Sequence, residues 1–262
     1  MAKEILKILN RIVDLAVMLA LTIALSYSAY ALWDNSRIYA QAENVQADML
    51  RMKPKSSSSE DTKASFEELR EINPDVCAWL TLCGTNIDYP VLQGADDLSY
   101  INTDVYGSFA LSGSIFLDSR CSSSFTDEYS LLYGHHMDRG RMFGDLDLYR
   151  EEKFFLENSS GTLILPDRAY TLEIFACLLV PAREEAIFRP EKWQANASGY
   201  MDFICGNSLC VRTDTAYSLS GDARPVQILA MSTCASDFSE ARTVVLARMI
   251  PCQPEIQVED DL

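Results

Sequence analysis

The groups in this chain best suited to covalent chemistry stand at the ends of apolar runs. Cys234 closes the run that begins at Val226, Arg242 opens the run Thr243 to Ile250, and His135 and His136 follow Leu131-Leu132-Tyr133-Gly134. A thiol on rigid β-structure beside a guanidinium has the setting that favours thiolate, the reactive species. A base is missing locally, because the only histidines lie about a hundred residues upstream. Three strand ends bearing a thiol, an acid/base and a cation are what acyl transfer through a thioester needs. Neighbouring residues on a strand point to opposite faces, so only one histidine can reach the thiol. His135 is the candidate and His136 the alternative. Ser232 and Thr233 are candidate substrate-lining residues, or strand residues with no further role. Arg248 is the fallback for Arg242, and a buried inert cysteine is the bland alternative for Cys234.

Those strand ends must be held by a β-rich framework. Val226 to Ser232 and Thr243 to Ile250 have strand length and composition, and the polar stretch between them fits a hairpin. Six further short runs precede them: Val76 to Leu82, Ile87 to Leu92, Gly113 to Leu117, Ser130 to Tyr133, Gly161 to Leu165 and Tyr170 to Val180. Eight short strands separated by turns predict a mainly β barrel or sandwich. Pro190 to Leu209 carries Trp193, Tyr200, Phe203 and Ile204 at helical spacing, and Phe143 to Phe155 is a second helical candidate. Upstream, Ile38, Val45, Met49 and Met52 mark a helix over Arg37 to Met52. Lys53 to Lys63 has linker composition. Ser65 with Glu68 reads as a capping box starting a short helix that Asn73-Pro74 ends.

Lys3, Lys7 and Arg11 precede an apolar run from Leu15 to Trp33, long enough to cross a bilayer. Basic residues favour the cytoplasmic side, which puts everything after Asp34 outside. A cleaved signal peptide, ending near Ser28-Ala29-Tyr30-Ala31, and a buried soluble helix are the competing readings. The net charge of −16, from 22 basic and 38 acidic residues, carries no basic patch and excludes nucleic acid as an expected partner.

Eight cysteines outside the cell suggest disulfides, but a free Cys234 leaves an odd number. Cys77, Cys83 and Cys177 fall in apolar runs, where a thiol packs as a small hydrophobe. Cys205 and Cys210 are near enough for a local bridge. With no Cys-x-x-Cys pair a zinc site is unsupported, and neither metal nor organic cofactor is expected.

In order, Phe66-Glu67-Glu68-Leu69, Ile72-Asn73-Pro74-Asp75-Val76, Ala78-Trp79-Leu80, Ile87-Asp88-Tyr89-Pro90-Val91, Ser112-Gly113-Ser114-Ile115-Phe116-Leu117-Asp118, Tyr133-Gly134-His135-His136-Met137, Met142-Phe143-Gly144-Asp145-Leu146 and Ser232-Thr233-Cys234 with Arg242 resemble the class B sortases. These are membrane-anchored cysteine transpeptidases of Gram-positive cell surfaces, and the resemblance runs from about Phe66 to Ile250. It implies an eight-stranded β-barrel with N-terminal helices and a long helix before the cysteine strand. It also implies that Cys234 attacks a threonine carbonyl in the C-terminal sorting signal of a secreted surface protein. His135 would protonate the departing amine and deprotonate the incoming one. Arg242 would hold substrate or stabilise the oxyanion, with the backbone N–H after Cys234. The thioacyl group would pass to an amine of a peptidoglycan precursor or a pilin subunit. The expected organisation is a cytoplasmic tip (1–11), a transmembrane anchor (12–33), a juxtamembrane helix and linker (34–64), a catalytic domain (65–252) and an acidic tail (253–262). A hydrolytic cysteine peptidase and a catalytically silent surface module remain as other classes.

Overall fold

The computed structural model describes residues 2–54, 59–218, 226–234 and 241–252. The chain divides into two compact units, Met1–Gln41 and Ala42–Leu262. The first is helical throughout its described length. The apolar run from Leu15 lies in helix α1 (Ala2–Leu50), which is long and apolar enough to cross a membrane. The expected juxtamembrane helix belongs to the same element.

In the second unit the eight predicted strands all form. They are β1 (Val76–Leu82), β2 (Asp88–Leu92), β3 (Ile115–Leu117), β4 (Tyr129–Met137), β6 (Ser160–Ile164), β7 (Ala169–Pro181), β9 (Gln227–Cys234) and β10 (Ala241–Pro251). Two short strands, β5 (Arg141–Met142) and β8 (Ser208–Val211), add to β4 and β7. The order β10-β9-β4-β3-β2-β1-β6-β7, with β7 paired back to β10, closes an eight-stranded barrel among the described residues. β2 with β3 and β4 with β9 are the parallel pairs.

Most strands are buried on both faces, which is why they read as near-continuous apolar runs rather than alternating ones. One face fills the barrel, with Leu80, Val91, Ile115, Leu132, Leu229 and Val245 in one cluster. On the other face two clusters pack against helices. Met49 of α1 and Phe66 and Leu69 of α2 (Ser59–Ile72) cover Trp79, Leu92 and Phe116. Trp193 and Ile204 cover Tyr129, Leu131, Phe175 and Leu246.

Helix boundaries depart from the sequence reading. Ser65 does not cap α2. It sits inside the helix with its hydroxyl donating to the Asp61 carbonyl at 2.9 Å, and the helix starts six residues earlier, with Glu60 and Asp61 in its first turn. Acidic residues there suit the positive end of the helix dipole. The linker is also less loose than its composition suggests. Pro54 is buried, Lys53 Nζ reaches Asp88 at 2.8 Å, and residues from Ser59 are helical.

The Phe143–Phe155 segment divides into a 3-10 helix (Gly144–Arg150) and α3 (Glu152–Glu157). The helix expected over Pro190–Leu209 follows a short turn of helix, α4 (Glu185–Phe188). It becomes a 3-10 turn (Pro190–Ala195) and α5 (Ala197–Asn207), separated by Asn196 at a non-helical φ of −149°. α6 (Thr213–Ser218) then precedes the cysteine strand. The Cys234–Arg242 connection and the acidic tail fall outside the described residues.

Cys77, Cys83, Cys121, Cys177, Cys205, Cys210 and Cys252 are free thiols, so the Cys205–Cys210 bridge does not form. Cys210 instead lies opposite Cys177 in the β7–β8 ladder. Cys83, expected to be buried, is exposed just past the end of β1.

Candidate active site

Three adjacent strands, β4, β9 and β10, carry the residues singled out in the sequence. Along the parallel β4–β9 ladder Tyr133 pairs with Ser232, Gly134 with Thr233 and His135 with Cys234. Two residues about a hundred apart in sequence therefore stand directly opposite one another on neighbouring strands. On the other side of β9, Val244 pairs with Ser232. Arg242, two residues nearer the connection, lies at the start of β10 and donates from Nη1 to the Thr233 carbonyl at 3.0 Å. The guanidinium is thereby anchored to the residue that precedes Cys234. Arg248 is six residues further along β10, opposite Ile228. At the usual rise this puts it about 20 Å away, so of the two candidates Arg242 is the one at this end of the barrel.

The two histidines have different surroundings. His135 is half-buried, and its Nε2 lies 2.7 Å from the Ile101 carbonyl. A carbonyl can only accept, so this contact assigns a proton to Nε2 and leaves Nδ1 as the ring nitrogen that can exchange one. His136 points to the other face, where its Nε2 meets Asp147 Oδ2 at 2.9 Å. That hydrogen bond, first among several causes, holds the Asp147 carboxyl below the usual range.

Backbone detail fixes His135 from three sides. Its carbonyl accepts from Phe143 N–H at 3.0 Å. Gly134, one residue earlier, is pressed against Ile115 and Phe143, and a β-carbon there would overlap both. The Ile101 carbonyl is backed by Gly113 at φ +56°, where a β-carbon would collide with that same carbonyl oxygen. Glycine is needed at this position both for the left-handed backbone and for the close approach.

Ser232 is fully buried, its hydroxyl donating to the Thr233 carbonyl at 3.3 Å, and Thr233 is also buried. Both belong to the packed wall beneath the strand end. Beside them, Tyr133 donates its hydroxyl to the buried Asp118 at 3.0 Å, and Arg120 pairs with the same carboxylate at 2.6 Å. Burial, then the Asp118 charge, pushes the Tyr133 phenol well up, so it stays a neutral donor. The thiols of Cys77, Cys121 and Cys177 are raised to about 12 by burial. These cysteines are inert packing residues at neutral pH.

Three contributors escaped the sequence reading: the Ile101 carbonyl, Gly113 in this role, and Asp147. A main-chain carbonyl has no residue signature. Asp147 sits in a Gly-Asp-Leu-Asp-Leu stretch with nothing to separate it from an ordinary solvated acid.

Solved structures with the same fold include a Streptococcus pyogenes class B sortase involved in pilus biogenesis. It is 34% identical, covering 70% of this chain and 97% of that one, with a TM-score of 0.61. A mutant form of Clostridium perfringens sortase B is 30% identical over 80% of this chain and 97% of its own, with a TM-score of 0.68. The chain belongs to the class B sortases. No protein-family model matches it. A Staphylococcus aureus sortase B–substrate complex is 26% identical, covering 84% of this chain and 99% of that one, with a TM-score of 0.68. As a class B sortase the chain is a sortase-type cysteine transpeptidase on the eight-stranded barrel expected from the sequence. Its N-terminal helix is a candidate membrane span.

Proposed function

We propose that this class B sortase uses Cys234 to cleave the C-terminal sorting signal of a secreted surface protein and transfers that protein to an amine. The observation that carries the reading is the β4–β9 register, which pairs Cys234 with His135. The Cys234 sulfur attacks a threonine carbonyl of the signal. A carbon–sulfur bond forms, the peptide C–N bond breaks, and His135 Nδ1 gives a proton to the departing amine. In the second half an incoming amine gives its proton to His135, attacks the thioester and releases the thiolate. Arg242 supplies positive charge where the oxyanion develops. Its present partner, the Thr233 carbonyl, is an oxygen of the kind it would meet in substrate. Ser232 and Thr233 are the floor beneath the bound acyl chain.

The acceptor is an amine of a peptidoglycan precursor or of a pilin subunit. Staphylococcus aureus sortase B has been solved with substrate, a sortase B has been solved with triglycine, and the Streptococcus pyogenes relative is involved in pilus biogenesis. These relatives lend support to an aminolytic second step. The anchor at 12–33 keeps residues 1–11 in the cytoplasm and the catalytic domain at 65–252 outside, where such acceptors are.

The test is cleavage of a library of internally quenched peptides with threonine before the scissile bond, using the full chain in detergent with and without added triglycine. Wild type is expected to cleave a subset and to form the triglycine adduct by mass spectrometry. Cys234→Ala should lose at least about 1,000-fold in kcat. A wild type that cleaves none of them, or a Cys234→Ala variant that keeps cleaving, overturns the reading. Free acid as the only product with triglycine present would make the protein a hydrolytic peptidase.

A further inference from the structure

We propose that Asp147 is a positioning residue, a clamp beneath the site that fixes His135 and Arg242 relative to one another by holding the residue that follows each. This rests on the roles given above to His135 and Arg242. Asp147 lies in the 3-10 helix Gly144–Arg150, which packs against β4, β9 and β10. One carboxylate oxygen accepts from His136 Nε2 at 2.9 Å. The other accepts from the Thr243 hydroxyl at 2.5 Å and lies 3.7 Å from Arg150 Nη1. His136 directly follows His135, and Thr243 directly follows Arg242.

Two features make this more than a surface ion pair. First, β4 and β10 are not neighbours: β9, the cysteine strand, runs between them. A single side chain therefore ties together two strands across the one that carries Cys234. Second, among the described residues the β9–β10 ladder reaches only as far as the Val244–Ser232 pair. Arg242 and Thr243, paired on their other side with Val180 and Leu179 of β7, lie beyond it, so the clamp acts past the last β9–β10 pair among the described residues. Side chains alternate along a strand. Asp147 thus grips the face away from His135 and Arg242 and leaves the reacting side open. The carboxylate is 37% exposed, so its field at the thiol is screened by water. It works by geometry, and misplacing a catalytic group by about 1 Å can cost on the order of 100-fold in rate.

The experiment uses the full chain in detergent and the internally quenched peptide that wild type cleaves best. Asp147→Ala should lower kcat at least about tenfold with KM within about twofold. Thr243→Val should reproduce that loss, and Thr243→Ser, which keeps the hydroxyl, should recover most of it. The double variant Asp147→Ala/Thr243→Val should be no worse than either single one, since both cut the same link. Labelling of the buried Cys177 by a methanethiosulfonate reagent should stay at the wild-type rate, where general loosening would raise it. If Cys234→Ala abolishes cleavage while Asp147→Ala and Thr243→Val keep wild-type kcat, the clamp is wrong and the transpeptidase reading stands. Losses that simply add in the double variant, or fall on KM, also overturn the clamp. If Cys234→Ala spares cleavage, it is the reading underneath that fails.

Discussion

The two ends of β4 are built on opposite principles. At its start, Tyr129 is buried, its ring stacked on Trp193 at 4.3 Å and its hydroxyl donating to the Ile187 carbonyl at 2.9 Å. Leu131 and Leu132 follow, both fully buried, one on each face of the sheet. At its end, His135 is half-buried with its ring held at Nε2 by one main-chain oxygen, and His136 is exposed and tied to Asp147. Burial on both sides makes the first half a fixed rail. In the second half Tyr133 and Met137 still pack on the core, but the two histidine rings are held by hydrogen bonds, one to the Ile101 carbonyl and one to Asp147. Stability and reactivity are thus drawn from different halves of one nine-residue strand.

Replacing the histidines breaks the comparison most sharply. His135→Ala should reduce peptide cleavage by about 100- to 10,000-fold, the range for losing a general acid and base. His136→Ala should cost about tenfold, the loss expected of Asp147→Ala, because it cuts the same clamp. Equal losses, measured as kcat on one peptide, would dissolve the distinction between the two faces. At the other end, Trp193→Ala should destabilise the fold by about 3–5 kcal/mol, read by thermal or denaturant unfolding. Activity per folded molecule should survive, since Trp193 sits on the rail and not at the reactive end. Subtler is Gly113→Ala, which should lower kcat on every peptide that wild type cleaves. Displacing the Ile101 carbonyl frees the His135 ring, and a side chain at a left-handed position adds about 1 kcal/mol of strain. A Gly113→Ala enzyme with unaltered kcat would mean that the Ile101 contact is incidental.

Sequence made the barrel readable because its strands are buried on both faces and bounded by turns; all eight runs from Val76 to Ile250 became barrel strands. Cys234, His135 and Arg242 could be picked out because each sits where an apolar run meets polar chain. Helix limits were harder. The Ser-rich segment after Pro54 reads as linker, but its Ser59-Glu60-Asp61 end opens α2. The supports of the site were hidden for a different reason. Ile101 and Gly113 lie in the long connection from β2 to β3, and Asp147 in a 3-10 turn. None of them belongs to a periodic element, and each acts through a contact that only the folded chain brings about.

Parallel pairing of β4 with β9 has a consequence for how the protein is made. Adjacent parallel strands require a long crossover, and here it contains β6, β7, β8 and the α5 region. A ribosome still holding the final hairpin has released His135 long before Cys234 and Arg242 can join it. Until they do, β4 and β7 present open strand edges of the kind that invite wrong pairing. Such late closure is slow by its topology. On the proposed mechanism it also leaves the nascent polypeptide without a complete site until the last strands arrive.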